Sequence, residues 1–231
     1  MDDLAQLRDM PHVSINLMHA QTADNDPFFS RVVREFYEEA RRAHPKFPLI
    51  RRYEYGIAVC VLPPSFEEYC KRIEPAGRRN IKKAARLGYQ FQRLDFNKHL
   101  EDIRAILTSA DVRQGKPFTE TDVTPCADPP SRSETHDYPY FGVLRENRVL
   151  AYAGCMVAGE ICMINTILGH ADYLSDGIVP MLIVGIANTL YDKYTGVKYY
   201  AYGTFFGAGE TLQRFKTKFD FRPHRVHWIL G

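Results

Sequence analysis

Residues 198–223 read KYYAYGTFFGAGETLQRFKTKFDFRP, and the order of features in this stretch decides the fold. Tyr199, Tyr200 and Tyr202 form a β-prone aromatic run, which predicts a strand. Gly203, Gly207 and Gly209 break it. Ala208, Leu212, Phe215 and Phe219 then recur at helical spacing and predict a helix with one apolar stripe. Residues 222–230 close the chain as a second strand. A short helix between two strands lays its stripe on a sheet and presents its flank to a cleft.

Working outward, 231 residues allow one large domain or two small ones. A hydrophobic content of 45% supports a true core, and a net charge of +2 excludes polyanion binding by overall charge, so a phosphate contact needs a local patch. The five cysteines form no CxxC pair and are expected as reduced, mostly buried thiols of a cytoplasmic protein. The N-terminus, MDDLAQLRDMP, lacks the apolar core of a signal peptide. No run approaches ~18 apolar residues, so no membrane span is expected. No grouping of His, Cys and Asp has zinc spacing, and no metal is expected.

Read in order, residues 12–17 predict a strand and Asp26-Pro27 a capped helix start, with Phe28, Val32, Phe36 and Ala40 on one face. A strand follows over 53–62. Ser65 with Glu68 opens a further helix. GRRNIKKAARLG, residues 77–88, predicts a basic helix with Ile81, Ala84 and Ala85 inside and Gly88 as its stop. Next come a strand at 89–94, a helix over 99–115 and a long loop, 116–137. Strands at 138–145, 149–158 and 161–168 form an antiparallel meander, the first turn being Glu146-Asn147. Residues 178–194 predict a buried helix, with Asp176 as its cap. The layout is α/β.

That order resembles the GNAT acyltransferase fold, and more narrowly its FemAB-like branch. The basic helix, residues 78–88, is similar to that branch's R-x-x-I-R-K-A-x-K-x-G segment. Residues 212–219, LQRFKTKF, are similar to its R-F-K-x-x-F-G segment. The resemblance covers residues 53–231 and leaves 1–52 as an N-terminal extension. It implies a GNAT-like mixed, mostly antiparallel sheet flanked by helices. It also implies transfer of an acyl or aminoacyl group to an amine acceptor, a small molecule or a peptide. The donor is aminoacyl-tRNA in the FemAB-like branch and acyl-CoA in most GNATs. No tightly bound cofactor is expected. A carrier-protein thioester donor and a catalytically silent, RNA- or partner-binding domain are the remaining alternatives.

There are departures. The phosphate loop of many GNATs is replaced by 170–177, HADYLSDG, with one glycine and two acids. Acids repel phosphate, and Pro180 removes a donor from the first turn. This favours aminoacyl-tRNA over acyl-CoA. Where many GNATs carry a tyrosine on the last helix, this chain has Lys216. The Phe-Gly of the family's motif is Phe219-Asp220.

On this resemblance Lys216 is the candidate for stabilising an oxyanion or a leaving oxygen. It is equally readable as a solvated lysine between Arg214 and Lys218. His170 is a candidate base for the amine. Tyr202 is a candidate for orienting the carbonyl, or a packed strand tyrosine. Arg78, Arg79, Lys82, Lys83 and Arg86 line one helix side, and such charge runs either bind donor phosphates or are solvated. Ile167 and Leu168 are expected to contact the donor from the 161–168 strand. The 116–137 loop is expected to shape the acceptor pocket.

Overall fold

The computed structural model describes residues 10–22, 26–44, 49–113, 116–117, 123–129, 131–206 and 208–231. In chain order the main elements are β1 (His12–Asn16), α1 (Pro27–Arg41), β2 (Ile57–Val61), α2 (Phe66–Arg72), α3 (Pro75–Arg86), β3 (Gln90–Leu94) and α4 (Leu100–Thr108). They continue with β4 (Tyr140–Arg145), β5 (Arg148–Ala158), β6 (Ile161–Gly169), α5 (Ile178–Lys193), β7 (Tyr199–Thr204), α6 (Glu210–Lys218) and β8 (Arg222–Ile229).

The strands form one sheet in the order β1-β8-β2-β7-β6-β5-β4-β3, with the two-residue strand His136–Asp137 beside β5. Along this path β1–β8 and β7–β6 pair parallel, and the other neighbours are antiparallel. The expected mixed, mostly antiparallel α/β sheet is therefore present. The segment before residue 53 supplies its edge strand, β1, and a helix on one face.

Local chemistry sets the element ends. Asp26 accepts from the amide of Phe29 at 3.2 Å with Pro27 in the first turn, and Ser65 accepts from Glu68 at 3.2 Å. Glu146 and Asn147 both have positive φ, 53° and 62°, as a tight hairpin turn with right-handed twist requires. Three expectations shift. The buried face of α1 is Phe29, Val33 and Ala40, one residue round from Phe28 and Val32, because the sheet lies on that side. Ala85 of α3 is exposed, and its inner face is Gly77 and Ala84. The helix expected over 99–115 is a 3-10 turn, Phe96–His99, followed by α4, which ends at Thr108.

Strand alternation divides the core into two main layers. Ala58, Cys60, Cys162 and Tyr200 face α5, whose Leu182, Ile183, Ile186 and Leu190 are buried among them. Ile57, Val59, Met163 and Ala201 face the opposite side, where Val33 and Ala40 of α1 meet Val226 and Trp228. Each Val, Leu, Ile or Met among these stabilises the fold by roughly 1.5–3 kcal/mol of transfer free energy. Among the described residues no helix is long and apolar enough to cross a membrane.

Candidate functional site

The site begins where two parallel neighbours part. β6 and β7 pair at Ile161↔Tyr199, Cys162↔Tyr200 and Met163↔Ala201, and no further. Beyond Met163, β6 runs on to Gly169 beside β5 alone. Beyond Ala201, β7 runs on to Thr204 beside β2. Both strands are bulged at the parting. On β6 the register passes from Ile164↔Cys155 to Thr166↔Gly154, leaving Asn165 as the extra residue. On β7 it shifts between Ala201↔Val59 and Thr204↔Ile57, and Gly203 sits there at φ +55°. A bulge bends its strand and sharpens the local twist, so two facing bulges open a wedge.

Lys216 closes the wedge from α6. Its side chain is buried, with 2% of the residue exposed. Its Nζ donates to the carbonyl oxygen of Thr204 at 2.7 Å and lies 4.5 Å from the ring centroid of Tyr202. Burial pushes its pKa down from 10.5 to about 8, because an ammonium loses hydration that one carbonyl and one aromatic face only partly replace. The solvated-lysine reading is thereby excluded. Tyr202 faces the same side, and burial pushes its phenol up to about 12, so it stays neutral. The structure thus brings Lys216 and Tyr202 together at the parting.

On the opposite face a cavity of about 390 Å³ opens at the same point, lined by Glu35 and Phe36 of α1, Tyr53, Tyr138, Asn165 and Gly203 among others. Asn165 donates its amide to Tyr138 Oη at 2.8 Å. The parting is therefore open on the α1 face, while Lys216 and Tyr202 close it on the other.

His170 lies elsewhere. It is six residues past Ile164, roughly 20 Å along an extended strand. Its Nδ1 accepts from the Asp172 amide at 3.4 Å, capping the turn 171–176. A ring accepting at Nδ1 carries its neutral-form proton on Nε2, so it offers no free lone pair there. His170 is not brought to Lys216. Asp176 does not cap α5 either: its carboxylate takes the Tyr89 hydroxyl at 2.8 Å and the Lys83 ammonium at 3.1 Å. The α5 cap is Gly177 at φ +88°, so close to α3 that a Cβ there would lie 2.3 Å from the Asn80 carbonyl oxygen. α3 thus covers the helix start where a phosphate would otherwise bind.

The basic residues of α3 divide by role. Arg78 Nη1 donates to the carbonyls of Ile73, at 2.5 Å, and Lys71, at 3.2 Å, at the C-terminal end of α2. Lys83 also donates to Ser175 O at 2.8 Å. Arg79, Lys82 and Arg86 are exposed. Ile167 and Leu168 are half-buried on the part of β6 that has left β7.

One arrangement has no signal in the sequence. Asp137, 2% exposed, accepts from Arg93 at 2.9 and 3.1 Å, Arg132 at 2.9 Å, Tyr194 Oη at 2.7 Å and the Tyr138 amide at 2.7 Å. This cluster fixes Tyr138, which lines both the parting cavity and a second one of about 750 Å³. Of the 116–137 loop, residues 118–122 and 130 lie outside the described residues. Cys126, Ala127, Asp128, Pro129 and Arg132 line the 750 Å³ cavity.

No family model matches the chain, and no curated protein matches it in sequence. Among solved structures it is similar to FemX, at 10% identity and a TM-score of 0.56 over 73% of this chain and 59% of that one. It is also similar to the C-terminal domain of a protein assigned as lysylphosphatidylglycerol synthetase from Agrobacterium fabrum, at 15% identity, a TM-score of 0.49 and coverage of 73% and 58%. A third is a GCN5-related N-acetyltransferase from Kribbella flavida, at 12% identity, a TM-score of 0.42 and coverage of 74% and 57%. The chain spans less than two thirds of the length of each. The fold is the GNAT-like α/β fold, in the form that FemX also has.

Proposed function

We propose that the chain is an acyltransferase that moves an acyl or aminoacyl group from an activated ester to an amine. The observation that carries this is the buried Lys216 ammonium at the parting of β6 and β7, where the facing edges of the two strands no longer pair with each other. An activated carbonyl seated there has the ammonium beside its oxygen. The acceptor amine enters from the face of α1, through the 390 Å³ cavity. The amine nitrogen forms a bond to the carbonyl carbon, and the ester C–O bond breaks. Lys216 gives a proton to the leaving oxygen and regains one from the attacking amine, so the sum is neutral. A pKa of about 8 suits this exchange near neutral pH. Tyr202 holds the ammonium in place through its ring face. Positioning supplies much of the rate.

Aminoacyl-tRNA is the favoured donor. The start of α5 is occupied by the Asn80 backbone, and Asp176 stands beside it, which argues against a CoA diphosphate there. Arg79, Lys82 and Arg86 remain exposed for a nucleic-acid backbone. A second reading, an acyl-CoA or carrier-protein thioester, is favoured by the β6 edge beyond Met163, which offers amides to an extended arm.

The test is a mass-spectrometric screen of pooled amines against charged tRNA and against acyl-CoA. Transfer from charged tRNA, lost in Lys216→Met, is expected. Transfer from acyl-CoA alone reverses the donor order. Absence of transfer from either, or full activity of Lys216→Met, overturns the proposal.

A further inference from the structure

Residues 40–43 and 51–53 lie side by side, so that two arginine doublets meet. Ala43 and Arg51 form an antiparallel bridge, the Arg52 amide donates to Arg42 O at 2.8 Å, and the Tyr53 amide donates to Ala40 O at 3.1 Å. Arg41, Arg42, Arg51 and Arg52 thereby surround the end of α1. Arg42 and Arg52 share the carboxylate of Glu39. Among the described residues no carboxylate pairs with the guanidinium of Arg41 or Arg51, although the Arg51 amide donates to Glu54 at 3.4 Å. Arg41 Nη1 donates to Tyr37 Oη at 2.8 Å and lies over that ring, and Arg51 Nη1 donates to Arg41 O at 3.2 Å.

Both line a cavity of about 690 Å³ whose opposite wall is the β1–β8 edge. In that parallel register His12 stands beside Arg225 and Ser14 beside His227, and all but Ser14 carry a basic group. The carboxylate in the lining is Glu54, and it is taken by Arg225 at 2.7 and 3.1 Å. Three guanidiniums and two imidazoles thus share one carboxylate.

Closing the C-terminus of α1 accounts for part of this, since cations favour that end of the dipole. It uses one donor of Arg51, whereas each guanidinium has five. Two uncompensated guanidiniums in one concavity repel each other unless an anion joins them. Their planar forks match phosphate oxygens in pairs. We infer that this trough binds a phosphate group, either of a small phosphorylated molecule or of a nucleic-acid backbone. The site is separate from the Lys216 wedge, and the inference does not depend on the transferase reading.

The test is calorimetric titration of the whole chain with inorganic pyrophosphate, then with a short single-stranded RNA. The variant is Arg41→Gln/Arg51→Gln, which removes both charges but keeps amide donors for Tyr37 and Arg41 O. Pyrophosphate is expected to bind the native chain and Lys216→Met alike, and the double variant at least about tenfold more weakly. RNA binding whose salt slope falls by about 1.4 in the double variant names a backbone phosphate. Pyrophosphate binding without RNA binding names a small phosphorylated ligand. No binding by the native chain, or equal binding by a folded double variant, overturns the inference.

Discussion

The ammonium of Lys216 donates to the carbonyl oxygen of Thr204 across 2.7 Å, tying α6 to the end of β7 just past the point where β7 leaves β6. Thr204 lies just past the bulge at Gly203, opposite Ile57 of β2, and the buried ammonium takes its carbonyl oxygen. One contact therefore joins the wedge's geometry to its charge.

That burial has consequences for pH. The pKa of Lys216 falls from 10.5 in the unfolded chain to about 8 in the folded one. Between these values the unfolded chain binds more protons, so stability rises with pH across this window. Urea denaturation at pH 8 and pH 10.5 is the measurement, after allowing for other titrating groups by repeating it on Lys216→Met. Transfer that needs the ammonium falls as pH rises through about 8, and this limb vanishes in Lys216→Met. The variant lowers transfer by about 10²–10³-fold.

Two glycines separate conformational cost from steric cost. Gly203→Ala meets open space but must hold φ +55°, so it costs about 1–2 kcal/mol. Gly177→Ala adds a Cβ 2.3 Å from the Asn80 carbonyl oxygen and forces α3 away from α5. Its loss in urea midpoint is expected to be clearly the larger of the two.

The Asp137 cluster is structural in its first effect. Asp137→Ala leaves Arg93, Arg132 and Tyr194 without their shared acceptor, at a cost on the order of 3 kcal/mol. Arg132→Ala costs less, because that side chain is 37% exposed and also pairs with Asp128. Chemical denaturation of both variants gives the ranking.

Within α3 the cations are expected to part company. Arg78→Ala loses about 1 kcal/mol of stability, since its donors serve carbonyls at the C-terminal end of α2, and leaves charged-tRNA affinity unchanged. Arg79→Ala with Lys82→Ala leaves the melting temperature unchanged. It weakens charged-tRNA binding and lowers the salt slope by about 2. Filter binding at several salt concentrations distinguishes the pairs.

Features decided within a few residues were legible in the sequence: the caps at Asp26 and Ser65, the Glu146-Asn147 turn, the apolar α5 and the order of elements. Each rests on backbone dihedrals and near neighbours, which travel with the local string. Asp220 is similar, its φ of +64° standing where the resembled motif has glycine. Only tertiary structure decided that Lys216, flanked by Arg214 and Lys218, is buried, because the surface covering it is Tyr202 and Thr204 on another element. The bulges at Asn165 and Gly203 are mismatches between separate strands and exist only once those strands pair. The same holds for Asp137 with Arg93 and Tyr194, and for the two arginine doublets: charges distant along the chain meet only when the fold closes.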